Sequence, residues 1–414
     1  MIKAQNTIST YLILVGVSLF GIYPLIPHKF ESISVLLLVL CSMVYRIITP
    51  KKSTFKKTFF VVSSIYFILF LSVWFSDDMS RGLKKMETTL SLLVFPIIFY
   101  LLLGKSSIDL IKIKFFFLRT YYISCLIFTT ISFYLFEIYQ NSKYLTKDSN
   151  FYRIAIFDNE YIGEHPIYVS IFISIAIIFG FSFFDRAKKI SSKNILLAFS
   201  QFYLLSLLLM LMSKGVILSL LMVYIIKLFR QKKFTKVHFF YLALILTSFF
   251  VLIPSKNNRF KEIIDINSYR KLDENNNSTS IRIMNYKCGL KSLIKSPIFG
   301  YGIGDVQEQL DQCYQEENTN FPKKRYNTHN QYLFIWLSSG VLGFLIFIGI
   351  LFYYFKKSLQ FKDELMFSIL VLYSFTFLFE NVLSRQSGVI FFCFIINYFL
   401  WNNFNTKKVL LTHE

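Results

Sequence analysis

The stretch Tyr326-Asn327-Thr328-His329-Asn330-Gln331-Tyr332-Leu333 is where this chain changes solvent. Before it, residues 254–329 form a polar, glycine-punctuated run; after it, residues 330–355 are predominantly apolar. A helix that crosses a bilayer needs about 20 apolar residues, so the second run is long enough to span and His329 sits at the lip of a membrane helix. Working outward, further apolar runs cover 11–27, 31–48, 58–75, 89–103, 115–137, 166–184, 195–212, 214–229, 237–253, 364–380 and 386–402. The pattern predicts an all-α, polytopic membrane protein with about 12 transmembrane helices and one long outer loop. Composition agrees: a chain of 414 residues that is 54% hydrophobic, 19% aromatic and 17% charged has more apolar surface than one water-soluble core can hide.

A net charge of +21 would suggest nucleic acid in a soluble protein, but the lysines and arginines concentrate in short loops between apolar runs. Cytoplasmic loops are enriched in these residues, so the charge reports topology and nucleic acid is excluded as a partner. With both termini inside, loops 50–57, 104–114, 185–193, 227–236 and 356–362 are cytoplasmic. Loops 76–88 and 140–165, the turn Ser213-Lys214-Gly215, the long loop 254–328 and the turn 381–385 face outward. The first apolar run follows Lys3 without a small-residue cleavage site and reads as a retained helix, not a signal peptide. The chain then divides into an N-terminal bundle of about nine spans (1–253), the outer loop (254–329) and a C-terminal bundle of about three spans (330–414). Within the loop, residues 280–296 predict one amphipathic helix, capped by Ser280 and stopped by Pro297. Ile283, Tyr286, Leu290, Leu293 and Ile294 form its apolar face, and Arg282, Lys287, Lys291 and Lys295 its other faces, as suits a helix on the membrane-water boundary.

The middles of the predicted spans are nearly free of charge. Ionisable side chains gather instead at outer helix ends and loops: Glu137, Arg153, His165, Lys214, Arg259, Arg282, His329, Glu380 and Arg385. A carrier of ions or protons keeps charges inside the bilayer, so this distribution favours a site at the outer surface. Arg153, Arg282 and either Arg259 or Lys214 are placed to converge near His329, and guanidinium forks suit the oxygens of a pyrophosphate. His329 has the chemistry of a general base for a hydroxyl; the plainer reading is a capping histidine at a helix start. His165, followed by Pro166, together with Asn330 and Tyr332, are candidates for lining the same cavity, with a structural role as the alternative. Glu380 and Arg385 flank a short turn and read as a pair fixing two helix ends. Gly300-Tyr301-Gly302-Ile303-Gly304 follows a helix and a proline, not a strand, so its glycines are turn residues and not a dinucleotide loop. Asp77-Asp78 lacks the further ligands that a metal site requires, and no metal is expected. Cys41, Cys125 and Cys393 fall within spans as packing residues. Cys288 and Cys313 lie together in the outer loop, an oxidising compartment, and are expected to form a disulfide.

The run His329-Asn330-Gln331-Tyr332-Leu333, followed by Leu337, Gly340, Leu342 and Gly343, resembles the signature of the O-antigen ligase and polymerase family, roughly H-N-x-Y-L and then G-x-x-G. Ser280-Ile281-Arg282 and Ser296-Pro297-Ile298-Phe299-Gly300-Tyr301-Gly302 are similar to that family's arginine helix and its P-x-x-G-x-G turn, and the stretch from Glu380 to Gly388 also resembles family members. The likeness is concentrated between about residues 200 and 400. It implies a multi-pass protein of the bacterial inner membrane with the long loop in the periplasm. The activity it implies is an inverting, metal-independent and cofactor-free transfer of a glycan from undecaprenyl pyrophosphate to an acceptor hydroxyl, lipid A core first among acceptors. His329 would activate the acceptor, and Arg282 would hold the pyrophosphate with help from Arg153. At Ser213-Lys214-Gly215 many members carry Ser-Arg-Gly; lysine keeps the charge and loses the fork. A polymerase extending the glycan on its carrier, or a transferase to protein, would share this donor site. Membrane lipids and other polysaccharide-assembly proteins are the remaining expected partners, and a flippase of lipid-linked sugars is the competing class.

Overall fold

In lipid every backbone N–H and C=O must find its partner within its own segment, which leaves the helix as the form these apolar runs can take. The computed structural model describes residues 2–49, 56–103, 110–133, 151–158, 162–184, 192–231, 278–317 and 326–411. Among them there are helices, turns and no strand. In chain order they are α1 (Ile2–Gly21), α2 (Glu31–Ile48), α3 (Lys56–Ser72), α4 (Met79–Thr89), α5 (Ser91–Leu101), α6 (Leu110–Ile131), α7 (Phe151–Asp158), α8 (Pro166–Phe184), α9 (Ser192–Met210), α10 (Lys214–Gln231), α11 (Ser278–Lys295), α12 (Val306–Glu317), α13 (Gln331–Gln360), α14 (Glu364–Thr376) and α15 (Gln386–Leu411).

Six described helices are long and apolar enough to cross a membrane: His28–Ile48, Lys57–Phe75, Pro166–Phe183, Ser192–Met210, Gln331–Gln360 and Gln386–Thr406. Tyr11–Gly21 and Glu364–Thr376 are apolar but shorter. The remaining predicted spans behave differently for local reasons. The run 89–103 becomes α5 with Pro96 inside it, and α6 carries Lys112, Lys114 and Arg119 in its first half. The run 237–253, Glu137 and Arg259 lie outside the described residues.

Burial ranks the helices. The apolar windows of α8 and α15 are 89% and 94% buried, so these two form the axis, while α2 at 28% and α9 at 33% present most of their apolar surface outward, as lipid-facing helices do. Aromatic rings lock α15 to its neighbours: Phe394 stacks on Phe20 at 3.9 Å between centroids, and Tyr398 meets Phe117 at 4.7 Å. Ile47, Leu196 and Phe352 mark the outer girdle, each at least 70% exposed.

The predicted loop helix is present as α11, and the face that packs on the protein is distinct from its most apolar side. Met284, Asn285, Cys288, Gly289 and Ser292 are buried, whereas Leu290 and Ile294 are 53% and 79% exposed. Small residues face inward because the helix lies close on α13; a Cβ on Gly289 would fall 2.4 Å from the Leu333 side chain. Cys288 and Cys313 form a disulfide with Cα atoms 5.6 Å apart, tying α11 to α12. Lys287 and Lys291 both reach Glu317 across the same pair of helices. The adjacent acids Asp77 and Asp78 have structural partners. Their backbone amides donate to the buried carboxylate of Asp305 at 2.5 and 3.0 Å, and Asp78 caps α4.

The glycine turn after α11 explains a break in α13. At Ser339 and Gly340 the helix leaves helical geometry, with Gly340 at φ +64°. Into that gap the turn 297–302 inserts: Tyr301 N–H donates to the Leu337 carbonyl at 2.7 Å, and Val341 N–H is shared between the carbonyls of Pro297 and Ile298 at 3.2 Å. A Cβ on Gly340 would fall 1.9 Å from the Ile298 carbonyl oxygen. The P-x-x-G-x-G turn and the first glycine of G-x-x-G are therefore two halves of one contact.

Candidate active site at the His329 end of the bundle

The loop entering α13 is fixed before any substrate arrives. Asn330 caps the helix, its side-chain oxygen accepting from Leu333 N–H at 3.0 Å. Thr328 is fully buried, its hydroxyl 2.9 Å from the Asn330 carbonyl and 3.0 Å from the side-chain oxygen of Asn381. Gln331 N–H donates to the Phe377 carbonyl at 2.8 Å, and its side chain accepts from Leu383 N–H at 2.8 Å. These bonds strap the loop to the segment between α14 and α15. His329 is held at φ +44°, an unusual conformation for a side-chain-bearing residue, with its N–H donating to the Asn327 side chain at 2.9 Å.

That geometry aims the imidazole at Glu380, Nδ1 lying 3.1 Å from Oε2. Glu380 is 8% exposed and His329 23%. Burial pushes the Glu380 carboxyl up, but the hydrogen bond from His329, with the nearby charge of Arg282, outweighs it and holds the carboxyl below its ordinary range. An ionised carboxylate can only accept, so the contact directs an Nδ1–H of His329 at Glu380 and turns Nε2 away from it. This is the orienting-acid arrangement of a general base. The expected Glu380–Arg385 pair does not form: the carboxylate is turned back toward the α13 entrance, and Arg385 is exposed at the start of α15.

Cationic groups surround this pair. Arg282 on α11 acts electrostatically on Glu380. One turn earlier, Thr279 accepts a hydrogen bond from Lys214 Nζ at 3.2 Å, and Gly215 packs so closely that its Cβ would lie 2.6 Å from that of Phe379, the neighbour of Glu380. Arg153 on α7 donates to the Leu211 carbonyl at 2.9 Å and to the Ser213 hydroxyl at 3.4 Å, just before Lys214. Tyr286 of α11 donates to the Leu378 carbonyl, anchoring the arginine helix to the same segment. Burial raises that phenol, and the charge of Arg282 and a bond to Asn330 oppose it.

His165 joins the group as a neutral member. Burial first, then the charges of Arg385, Arg153 and His329, opposed by Glu380, push it down to about 3. Its Nδ1 accepts from Ile167 N–H at 3.4 Å, and Tyr168 packs edge-on against its ring. Tyr332 uses its hydroxyl on the Ser374 carbonyl at 2.9 Å, so it and Asn330 hold the scaffold. The structure thus brings His329, Arg282, Lys214, Arg153 and His165 to one end of the bundle, where His329, Arg282 and His165 act on Glu380. The link from Glu380 to His329 was missed by sequence reasoning. Its one signal was an acid closing an apolar span, a costly place for a charge without a fixed partner.

Residues 199–348 match the O-antigen ligase family model. The matched segment contains Lys214, Arg282, both bridged cysteines, His329 and the break in α13, while Glu380, His165 and Arg153 lie outside it. An uncharacterized protein of Haemophilus influenzae is 30% identical over 150 residues, covering 32% of this chain. The match spans 37% of that protein's length. The likeness seen in the sequence is consistent with this result, and the apolar helices make the chain a membrane protein, of which residues 199–348 are similar to the O-antigen ligase family.

Proposed function

We propose that this protein is a glycan transferase of the O-antigen ligase type, with its chemistry at the His329 end of the bundle facing the periplasm. The observation that carries the reading is the 3.1 Å contact between His329 Nδ1 and Glu380, with the charge of Arg282 acting on the same carboxylate. The acceptor hydroxyl gives its proton to His329 Nε2 while its oxygen bonds to the anomeric carbon of the donor sugar. The bond from that carbon to the leaving phosphate oxygen breaks, and the electron pair stays on the lipid diphosphate. Arg282, with Lys214 beside it, offsets the charge that develops there. Attack from the face opposite the leaving group inverts the anomeric centre. Glu380 orients the imidazole and stabilises its charged form without itself taking the proton.

Undecaprenyl pyrophosphate is the donor carrier in this reading and lipid A core the acceptor; the family description supports ligation over chain extension. A flippase would need charged groups along a path through the bilayer, whereas here they collect at one end. Deleting the gene and analysing surface and carrier-bound glycans tests the reading. Lipid A core without polymer, with long chains retained on the carrier, is expected; restoration by His329→Ala at normal protein abundance would contradict it. Single repeat units on lipid A core would mean a polymerase.

A further inference from the structure

A second imidazole–carboxylate cluster lies at the junction of α2, the lead into α8, and α15. His28 Nδ1 is 3.2 Å from Glu31 Oε2 and 3.8 Å from Glu164 Oε2, and ligand atoms of all three residues fall within 4.8 Å of one another. Both glutamates are buried, Glu31 at 1% and Glu164 at 8% exposure. Among the described residues neither makes an ion pair with a lysine or arginine. One ring nitrogen and two carboxylates from segments more than a hundred residues apart thus converge on a single point beside a cavity, and buried carboxylates of this kind are typically paired or coordinate a metal.

We propose that His28, Glu31 and Glu164 bind a divalent transition cation of the Zn2+ class. A tetrahedral ion with bonds of about 2.1 Å holds its ligand atoms about 3.4 Å apart; His28 Nδ1 stands 3.2 and 3.8 Å from the two carboxylates and all three ligand atoms lie within 4.8 Å, so the ion would draw the carboxylates closer together. One nitrogen and two carboxylate oxygens suit zinc better than magnesium or calcium, which prefer an all-oxygen shell. The remaining lone pairs are already directed. Glu164 Oε1 accepts from His165 N–H at 2.8 Å, and the Ser387 hydroxyl donates to Glu164 Oε2 at 2.7 Å and lies 2.9 Å from His28 Nδ1. A cavity of about 210 Å³ opens directly onto the three ligands, walled by Tyr23, Phe128 and Phe172, with room for an ion and its water. The cation would brace the start of α2 against the lead into α8, more than a hundred residues away, with Ser387 of α15 holding Glu164 from behind. It acts one residue away from His165 and two from Arg385, and it takes no part in the transfer chemistry.

The test uses the full-length protein in detergent or nanodiscs, stripped with a chelator and titrated with Zn2+ or Mg2+ while thermal unfolding is followed. Zn2+ should raise the unfolding temperature of the wild type and be retained stoichiometrically by elemental analysis, and Mg2+ at the same concentration should not. Glu31→Gln and His28→Ala should lose both the retained metal and the zinc-dependent shift. The proposal is overturned if zinc leaves wild-type unfolding unchanged, if Mg2+ serves equally, or if the variants keep the metal. It is also overturned if Glu164→Gln alone raises stability with no metal bound, which would show that a shared proton settles the two carboxylates. Because none of these readouts involves glycan transfer, they stand whether or not the transferase reading does.

Discussion

His329 with Glu380, and His28 with Glu31 and Glu164, use the same side chains to opposite ends. In the first, one carboxylate faces an imidazole with the charge of Arg282 acting on it, and despite its burial the Glu380 carboxyl is held below its ordinary range. In the second, two carboxylates face one imidazole, and burial followed by the charge of Glu31 pushes Glu164 up to about 7. Surroundings, not residue type, set the chemistry. A carboxylate kept charged by cations can orient a base, whereas a carboxylate crowded by another needs a positive partner brought to it.

The sharpest way to break this contrast is to remove each imidazole. His329→Ala should reduce transfer about 10²- to 10⁴-fold, the range of a lost general base, while His28→Ala leaves transfer per folded molecule near wild type; glycan profiling alongside protein abundance checks both. Equal losses would mean that the two clusters do one job. Changing the acids comes next. Glu380→Gln should cut transfer by about tenfold or more and alter its pH–rate profile, because the amide no longer demands the Nδ1–H tautomer, with partial rescue by Glu380→Asp. A uniform rate loss with an unchanged profile would make Glu380 a mere fold contact. Arg282→Lys keeps the charge and loses the fork, so donor turnover should fall by about tenfold. Full activity would argue against bidentate grip on the diphosphate.

Smaller effects concern the scaffold. Cys288→Ser should lower stability by about 2–4 kcal/mol, measured by denaturant unfolding, since the bridge closes a loop of modest length. His165 gives a pH signature. Its pKa is about 3 when folded against an ordinary value of 6.5, so between those values the unfolded chain binds more protons and stability rises with pH, complete only above the unfolded value. Acidifying from about pH 7 to pH 5 should therefore lower the unfolding temperature, and His165→Asn should blunt that dependence.

The sequence disclosed what depends on local contrast. A polar loop meeting an apolar run placed His329 at a helix entrance, and two cysteines in one polar loop found each other. It did not disclose what depends on non-local folding. Glu380 was assigned to Arg385 by nearness along the chain, yet the α14–α15 connection turns it 51 positions back to His329. The apolar side of α11 was legible as a boundary-facing surface, but which residues pack against the protein was not, because apolar periodicity marks only the apolar side. At a bilayer boundary Leu290 and Ile294 can point outward while glycine and serine pack inward. The His28 cluster was invisible for the same reason as the Glu380 link, its third ligand lying more than a hundred residues away.

One measurement addresses the central claim directly: transfer in vitro by the purified protein, with a lipid diphosphate-linked glycan as donor and lipid A core as acceptor, for wild type and His329→Ala side by side. The account predicts product from the wild type only, with the variant still binding donor through Arg282. Product formed by His329→Ala at the wild-type rate would contradict it.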